Sequence, residues 1–329
     1  MTLDEHARLS VAPMMDWTDR HCRAFHRVLS RNVLLYTEMV TAAALVRGGA
    51  MHLLRFDMAE HPVALQLGGS DPAELAEACR MAVAHGYAEV NLNVGCPSDR
   101  VQSGSFGAIL METPELVADC LRAMSDAAGD VPVTMKCRIG VDDQKAGDVL
   151  PDLLARMSDA GVSRVTVHAR MAWLKGLSPK ENREVPPLDY DLVHAMKTRF
   201  PDLHLSINGG IATMDDAVTQ LQIMDGVMIG RAAYHDPGTV LMNADSRIFG
   251  AADPQPDRVS AALAMVPHIE AHLADGGKLG QVTRHMLGLF AGLPGARSWR
   301  RTLSEGAARP GAGVEVLRTA LDHVIDAAA

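Results

Sequence analysis

Cys96 stands in a setting that favours a loop: Asn91-Leu92-Asn93-Val94-Gly95-Cys96-Pro97-Ser98. The run Ala88–Asn93 alternates apolar and polar side chains as a strand does. Gly95 and Pro97 break it, and Asp99-Arg100 and Gly104-Ser105-Phe106-Gly107 continue the irregular stretch. In an α/β barrel the rim at the C-terminal strand ends is where chemistry is done, so Cys96 is a candidate reactive group. The plainer alternative is a buried small apolar side chain, which is what most free cysteines are.

Other polar residues fall at neighbouring strand ends. Gln66 lies on the third run, Asn93 on the fourth, Lys136 and Arg138 on the fifth, and His168 and Arg170 close the sixth. Asn208-Gly209-Gly210 ends the seventh and Gly230-Arg231 the eighth. In barrels the loops after the last two strands form a phosphate site from backbone N–H groups. Glycines there let the main chain approach an anion closely, and Arg231 adds a charge-assisted contact. Lys136 sits in an otherwise apolar strand, which is costly without a partner. A flavin N1/O2 edge, negative when reduced, would be one partner; an ion pair within the barrel would be another.

These residues need a frame. The runs Leu9–Met15, Val33–Glu38, Val63–Gly68, Ala88–Asn93, Val133–Arg138, Arg164–His168, Leu203–Asn208 and Asp225–Ile229 read as strands. Helical spacing lies between them at Ala73–His85, Pro114–Ala128, Asp148–Ala160, Asp191–Phe200 and Met214–Gln222. Asp71 is the expected N-cap of the first, with Pro72 in its first turn, and Thr113 takes the same place before Pro114. Strands apolar on both faces alternating with helices predict a parallel sheet, and eight of them a closed (β/α)8 TIM barrel. An open doubly wound sheet would carry GxGxxG after its first strand, and Ala12-Pro13-Met14-Met15-Asp16 does not.

Past Gly250-Ala251-Ala252-Asp253-Pro254-Gln255-Pro256 the pattern turns helical: Asp257–Ala274, Gln281–Phe290, Ala296–Glu305 and Val314–Ala328. The expectation is a barrel domain over 1–250 and a small C-terminal all-helical bundle over 251–329.

Among 329 residues, 48% are hydrophobic and 22% charged, the composition of an ordinary globular protein. The N-terminus lacks a signal-peptide pattern and no apolar run approaches a membrane span. Five cysteines without CxxC spacing indicate neither a disulfide framework nor a zinc site. A cytoplasmic protein with no metal is expected, a monomer without an obligatory protein partner. The net charge of −9 argues against a polyanionic partner, yet Arg284, Arg297, Arg300, Arg301 and Arg309 share the segment 284–309 with Glu305 as its one acid. That segment is either a solvated face or a local basic patch.

The motifs Ala12-Pro13-Met14-Met15, Asn93-Val94-Gly95-Cys96-Pro97, Lys136-Cys137-Arg138-Ile139-Gly140, His168-Ala169-Arg170, Asn208-Gly209-Gly210 and Ile229-Gly230-Arg231 together resemble the tRNA-dihydrouridine synthases. The resemblance runs in order along essentially the whole chain. Trp17-Thr18-Asp19, the stretch from Met171 to Leu174, Asn182 to Leu188 and Pro294 to Arg301 look like the A type, which reduces uridines 20 and 20a of the tRNA D-loop. The resemblance implies FMN, held by Pro13, Met14, Met15, Gln66, Lys136, His168, Asn208, Gly209, Gly210, Gly230 and Arg231. It also implies NADPH or NADH as electron donor, hydride delivery from flavin N5 to uracil C6, and protonation of C5 by Cys96 from the opposite face, which requires Cys96 to start as a thiol.

Asn93 and Arg170 on the same rim are expected to meet the uracil carbonyls or nearby phosphates. A base inside folded tRNA must be extruded to reach such a pocket. Lys180, Arg183, Arg297, Arg300 and Arg301 are the candidate backbone contacts at the D-loop and elbow, while Trp299 is expected to pack in the bundle. An FMN barrel acting on a free pyrimidine, a tRNA-binding chaperone with a relic pocket and a metal-dependent aldolase are the competing readings. The arginine-bearing appendage disfavours the first, and the absence of ligand-like spacing at the strand ends disfavours the last.

Overall fold

The computed structural model describes residues 1–98 and 104–328; Asp99 to Ser103, part of the stretch singled out around Cys96, lie outside the described residues. Eight parallel strands close into a barrel in sequence order, with β1 (Leu9–Val11) completing the ring against β8 (Gly226–Ile229). Between them run β2 (Leu34–Thr41), β3 (Val63–Gly68), β4 (Glu89–Val94), β5 (Val133–Arg138), β6 (Arg164–His168) and β7 (His204–Asn208).

Contrary to expectation, the strands are not apolar on both faces. Alternate residues such as Val90, Leu92 and Val94 join one continuous core with the surrounding helices. Their neighbours Glu89, Asn91 and Asn93 turn to the barrel axis, where they hydrogen-bond to Gln66 of β3 and Thr134 of β5. Ser10, Arg164, Thr166, His168, Ser206 and Asn208 are likewise buried polar residues of the strands. A small second cluster, Ala7, Ala12, Leu34, Tyr36, Ala64 and Met228, packs apart from the main core.

Two strands end more than one residue from where they are expected. β1 stops at Val11 instead of Met15, because Pro13 has no N–H for the ladder and the chain turns at Met14, whose carbonyl accepts from the N–H groups of Trp17 and Thr18. β2 continues to Thr41, with a register irregularity between Tyr36 and Met39. Asp71 caps the helix Pro72–Ala84 through the N–H groups of Ala73 and Glu74. Thr113 makes no such bond to Pro114–Ala128, its hydroxyl donating back to Leu110.

The C-terminal segment is helical but more broken than its periodicity suggests. Asp257–Ala274 divides into Arg258–Ala264 and Val266–Ala274, since Pro267 removes a helical N–H. The expected helix Gln281–Phe290 is regular only over Leu279–Thr283 and continues as turns. Ala296–Gly306 and Val314–Ala328 complete the segment. Trp299 is fully buried there, donating its indole N–H to Met286 and meeting Phe290 edge-on.

Asp19 joins this segment to the barrel. It caps the helix Arg20–Leu29 through the N–H groups of His21 and Cys22, and it pairs with Arg284 (2.5 Å) and His285 (3.0 Å). Burial raises its pKa, but His285, the helix N–H groups and Arg284 outweigh that and hold the carboxyl well below the ordinary range. No helix among the described residues is long and apolar enough to cross a membrane.

Closure at the β8 seam depends on Gly226. A Cβ there would lie 2.4 Å from Ser206 Oγ and 2.5 Å from the Ala7 carbonyl oxygen. Gly226→Ala is therefore expected to lower stability by about 1–3 kcal/mol, read as an earlier urea midpoint at unchanged slope.

Candidate active site

The loop after β4 is held from three directions. Asn93 Oδ1 accepts from the N–H groups of Gly95 (3.1 Å) and Cys96 (3.0 Å), and the Cys96 carbonyl accepts from Ala108 (2.9 Å). Arg138, almost wholly buried, donates from Nε to the Gly95 carbonyl (3.0 Å) and from Nη1 to those of Met171 and Asn182 (2.9 Å each). One guanidinium thus ties the cysteine loop to the loop after β6. Asn182, fully buried, organises that second loop, bonding the N–H and carbonyl of Trp173 and the carbonyl of Leu177. Sequence reasoning placed Arg138 on its strand and Asn182 in a motif without assigning either this work. A buried guanidinium must find several acceptors, and that was the signal available for Arg138.

Of the five cysteines only Cys96 is not buried. Burial pushes Cys79, Cys120 and Cys137 up to about 12 and raises Cys22 well above its ordinary value, so the reading as a small apolar residue belongs to those four. Cys96 sits half-buried at the mouth with Sγ 3.6 Å from Ser98 Oγ.

Cations converge on the same mouth. Among the described residues Lys136 Nζ has no hydrogen-bond or ion-pair partner, although protein surrounds it. Burial and then repulsion from Arg138 bring its pKa down to about 8, opposed by the Cys137 and Cys96 thiols. The expected alternative of an ion pair inside the barrel is not what the described residues form. His168, buried, is driven well below its ordinary value by burial and then by Arg138, Lys136, Arg170 and Arg183, so it is a neutral imidazole at working pH.

Glycines shape the opposite rim. Gly209 (φ 109°) and Gly210 (φ 73°) adopt conformations open to glycine, and a Cβ on Gly209 would lie 2.6 Å from His168 Cδ2. Asn208 Nδ2 donates to Met228 (2.7 Å) and Tyr190 Oη to the Gly209 carbonyl (2.5 Å). Gly230 lies beside Ala12 and Met14, so the turn of Pro13, Met14 and the exposed Met15 closes over the end of β8.

Some expected ligands are committed elsewhere. The Arg231 guanidinium pairs with Glu184 (2.5 Å), both half-exposed; such a surface pair is weak enough to exchange for an anion. Arg170 donates to the carbonyl of Pro186. Gln66, 1% exposed, has both ends of its amide bonded, to Asn91 and Asn93. Asn93 retains one amide hydrogen after serving Gln66 and the loop. Lys180, Arg297 and Arg300 are exposed and unpaired among the described residues, the last two on the helix Ala296–Gly306.

An unpaired ammonium, a neutral histidine, four further cations and a glycine rim fit a planar anionic group such as a flavin with its phosphate. A separate cleft of about 420 Å³ lies where the C-terminal segment meets the barrel, lined by Asp19, Arg20, His21, His272, Gln281 and Arg284. Its Asp19–Arg284 and His272–Gln281 partnerships are internal, and we place the chemistry at the barrel mouth. Among the described residues no group of three or more His, Cys, Asp or Glu side chains could hold a metal ion.

The sequence profile of the family described as "Dihydrouridine synthase (Dus)" matches residues 10–326. The chain belongs to the dihydrouridine synthase family. It is similar to the tRNA-dihydrouridine(20/20a) synthase of Escherichia coli K12, at 57% identity over 97% of this chain and 92% of that one. The Vibrio vulnificus protein of the same name is 54% identical over 96% and 97%. Among solved structures, morphinone reductase superposes with a TM-score of 0.51 at 13% identity over 77% and 88% of the two chains. The old yellow enzyme homologue from Zymomonas mobilis gives 0.52 at 11% over 74% and 88%. At such identities these two speak for the barrel alone. Family membership makes this dihydrouridine synthase an oxidoreductase of the flavin-dependent barrel type.

Lys136 gives a test of the site. Its proton is held less tightly in the folded chain, so between pH about 8 and the ordinary 10.5 the unfolded chain binds more protons and stability rises with pH. Below pH 8 the whole penalty is present. In ligand-free protein Lys136→Met is expected to raise the thermal midpoint at pH 7, with the gain shrinking from pH 8 to 10.5; a pH-independent difference would contradict an uncompensated ammonium.

Proposed function

We propose that this chain reduces uridines 20 and 20a of the tRNA D-loop to 5,6-dihydrouridine, with FMN as cofactor and NADPH, or NADH, as electron donor. The observation that carries the proposal is the unpaired Lys136 ammonium beside the one cysteine that is not buried. Bound flavin would supply the hydride for uracil C6. Lys136 would meet the flavin's electron-rich edge, and neutral His168 would donate one hydrogen bond without adding charge. Gly209, Gly210 and Gly230 leave room for a phosphate against the main chain, with Arg231 exchanging Glu184 for it.

Cys96 would give its thiol proton to uracil C5. The thiolate left behind lies in the field of Lys136, Arg138 and Arg183, each of which is biased toward its charged form by that sulfur. The remaining Asn93 hydrogen is available to a uracil carbonyl, and Arg170 lies on the same rim. Extruding the base costs a few kcal/mol, to be offset by phosphate contacts from Lys180, Arg183, Arg297 and Arg300. A tRNA substrate implies a cytoplasmic protein. The names of the 57% and 54% identical relatives support the tRNA and the two positions.

Two measurements test this reading. NADPH should bleach the bound flavin and unmodified tRNA should restore its colour, with dihydrouridine mapped at 20 and 20a. Cys96→Ala should be reduced by NADPH as before and yet form product about a hundredfold more slowly or worse; reoxidation by free uracil in place of tRNA would remove the macromolecular substrate. Arg297→Ala with Arg300→Ala should weaken tRNA binding and flatten the slope of log affinity against log salt by about one for each phosphate no longer neutralised. An unchanged slope takes these arginines out of the interface.

A further inference from the structure

We propose that the buried Glu89–Arg164 pair, at the N-terminal end of the barrel, sets the position of the Cys96 loop through a one-way chain of side-chain hydrogen bonds. The inference rests on the reading of Cys96 as proton donor. Glu89 has no exposed surface and Arg164 only 2%. The Arg164 guanidinium contacts Glu89 Oε2 and also reaches Asp4 (2.9 Å), while Tyr36 Oη donates to Glu89 Oε1 at 2.7 Å. From there the chain climbs the axis. Thr134 donates its hydroxyl to Glu89, Asn91 Nδ2 donates to Thr134 Oγ1 (2.8 Å), Gln66 Nε2 to Asn91 Oδ1 (2.8 Å), and Asn93 Nδ2 to Gln66 Oε1 (2.8 Å). At the top Asn93 Oδ1 accepts from Gly95 and Cys96.

Glu89 dictates the direction. A carboxylate only accepts, so the single Thr134 hydrogen goes to it and Thr134 has nothing left to offer Asn91 except lone pairs. Asn91 must then present its NH2 to Thr134 and its oxygen to Gln66. Gln66 in turn must present its NH2 to Asn91 and its oxygen to Asn93. Asn93 is left with its oxygen toward the mouth, the only orientation that can accept the two loop N–H groups. An amide and its flipped form have nearly the same shape, so packing does not fix these orientations; the Glu89 anchor at one end and the two loop N–H donors at the other fix them together. A flipped Asn93 would set NH2 against the N–H groups of Gly95 and Cys96 and release the loop. Thr134 and Glu89 are thus positioning residues, acting on Cys96 without touching it.

The test replaces Thr134 by Val, which keeps the shape and removes the hydroxyl, in the flavin-bearing full-length protein. Hydrogen exchange of the peptide spanning Gly95 and Cys96 should accelerate several-fold while peptides from β1, β7 and β8 exchange as before. With rates normalised to bound flavin, reduction by NADPH should be unchanged and reoxidation by tRNA slowed by about tenfold or more. Thr134→Ser should restore both readouts. If Thr134→Val does not accumulate folded, Thr134→Ala removes the same hydroxyl and carries the comparison. Wild-type exchange and rates, acceleration spread over the whole barrel, or failure of Thr134→Ser to restore either readout overturns the proposal. If the unsubstituted protein is not reoxidised by tRNA, the proposed function falls, and the exchange measurement still decides the chain of bonds.

Discussion

A polar group facing the axis of a closed barrel has no water to turn to, so it must be satisfied by another strand or by a ligand. That constraint divides this barrel in two. At the N-terminal end each side chain from Arg164 through Glu89 to Gln66 has a partner, Arg164 Nε alone making no hydrogen bond, and from Thr134 to Gln66 donors and acceptors alternate in sequence. At the C-terminal end the match fails: Lys136 has no partner among the described residues, Arg138 adds repulsion, and His168 is held neutral by burial and the cations around it. Stability is secured below and a demand for negative charge is left above. A functional site reads as the place where local satisfaction stops.

Charge distribution carries the same division to the surface. The chain is acidic overall, at −9, yet Lys136, Arg138, Arg170, Arg183 and Arg231 gather at one mouth, where Glu184 pairs with Arg231. Low-dielectric walls concentrate such a field. Net charge therefore says little about the partner, since acids spread over the outer helices do not cancel cations grouped at an opening. The cost is visible in the lowered pKa values of Lys136 and Arg138, both led by burial.

Much of this was legible in the residues. Strand positions followed from short apolar runs, the Asp71 cap from residue type and the following proline, and the Cys96 loop from Gly95 and Pro97. What was missed depended on pairing across strands. The alternation of Glu89, Asn91 and Asn93 with Val90, Leu92 and Val94 is plain in sequence, but each polar side chain finds its partners on other strands, and only register brings Gln66 beside Asn91 and Asn91 beside Thr134. The Arg138 clamp spans two loops separated by dozens of positions. Thr113 looked like a cap because of Pro114, whereas its hydroxyl found a nearer carbonyl at Leu110. The pairing of Arg231 with Glu184 joins segments no local rule connects.

The segment after β1 links these features to the C-terminal helices. Pro13 ends the strand, Met14 takes the turn beside Gly230, and Asp19 starts a helix while binding Arg284 and His285. Trp17, between them, stacks on Tyr234 (4.5 Å between centroids) in the short helix that begins at Arg231. A short run of chain thus touches Gly230 at the rim of the mouth, Tyr234 beyond it, and the helical segment that bears Arg297 and Arg300. His21, pushed down to about 3 by burial first, contacts His268 at 2.9 Å as a neutral ring and adds to that seam without charge. A displacement of the helical segment against the barrel would have to break Asp19's bonds to Arg284 and His285 together. Arg297 and Arg300 are in this way tied to the barrel through the segment that borders its mouth, as the proposed extrusion of one base from a folded polynucleotide requires.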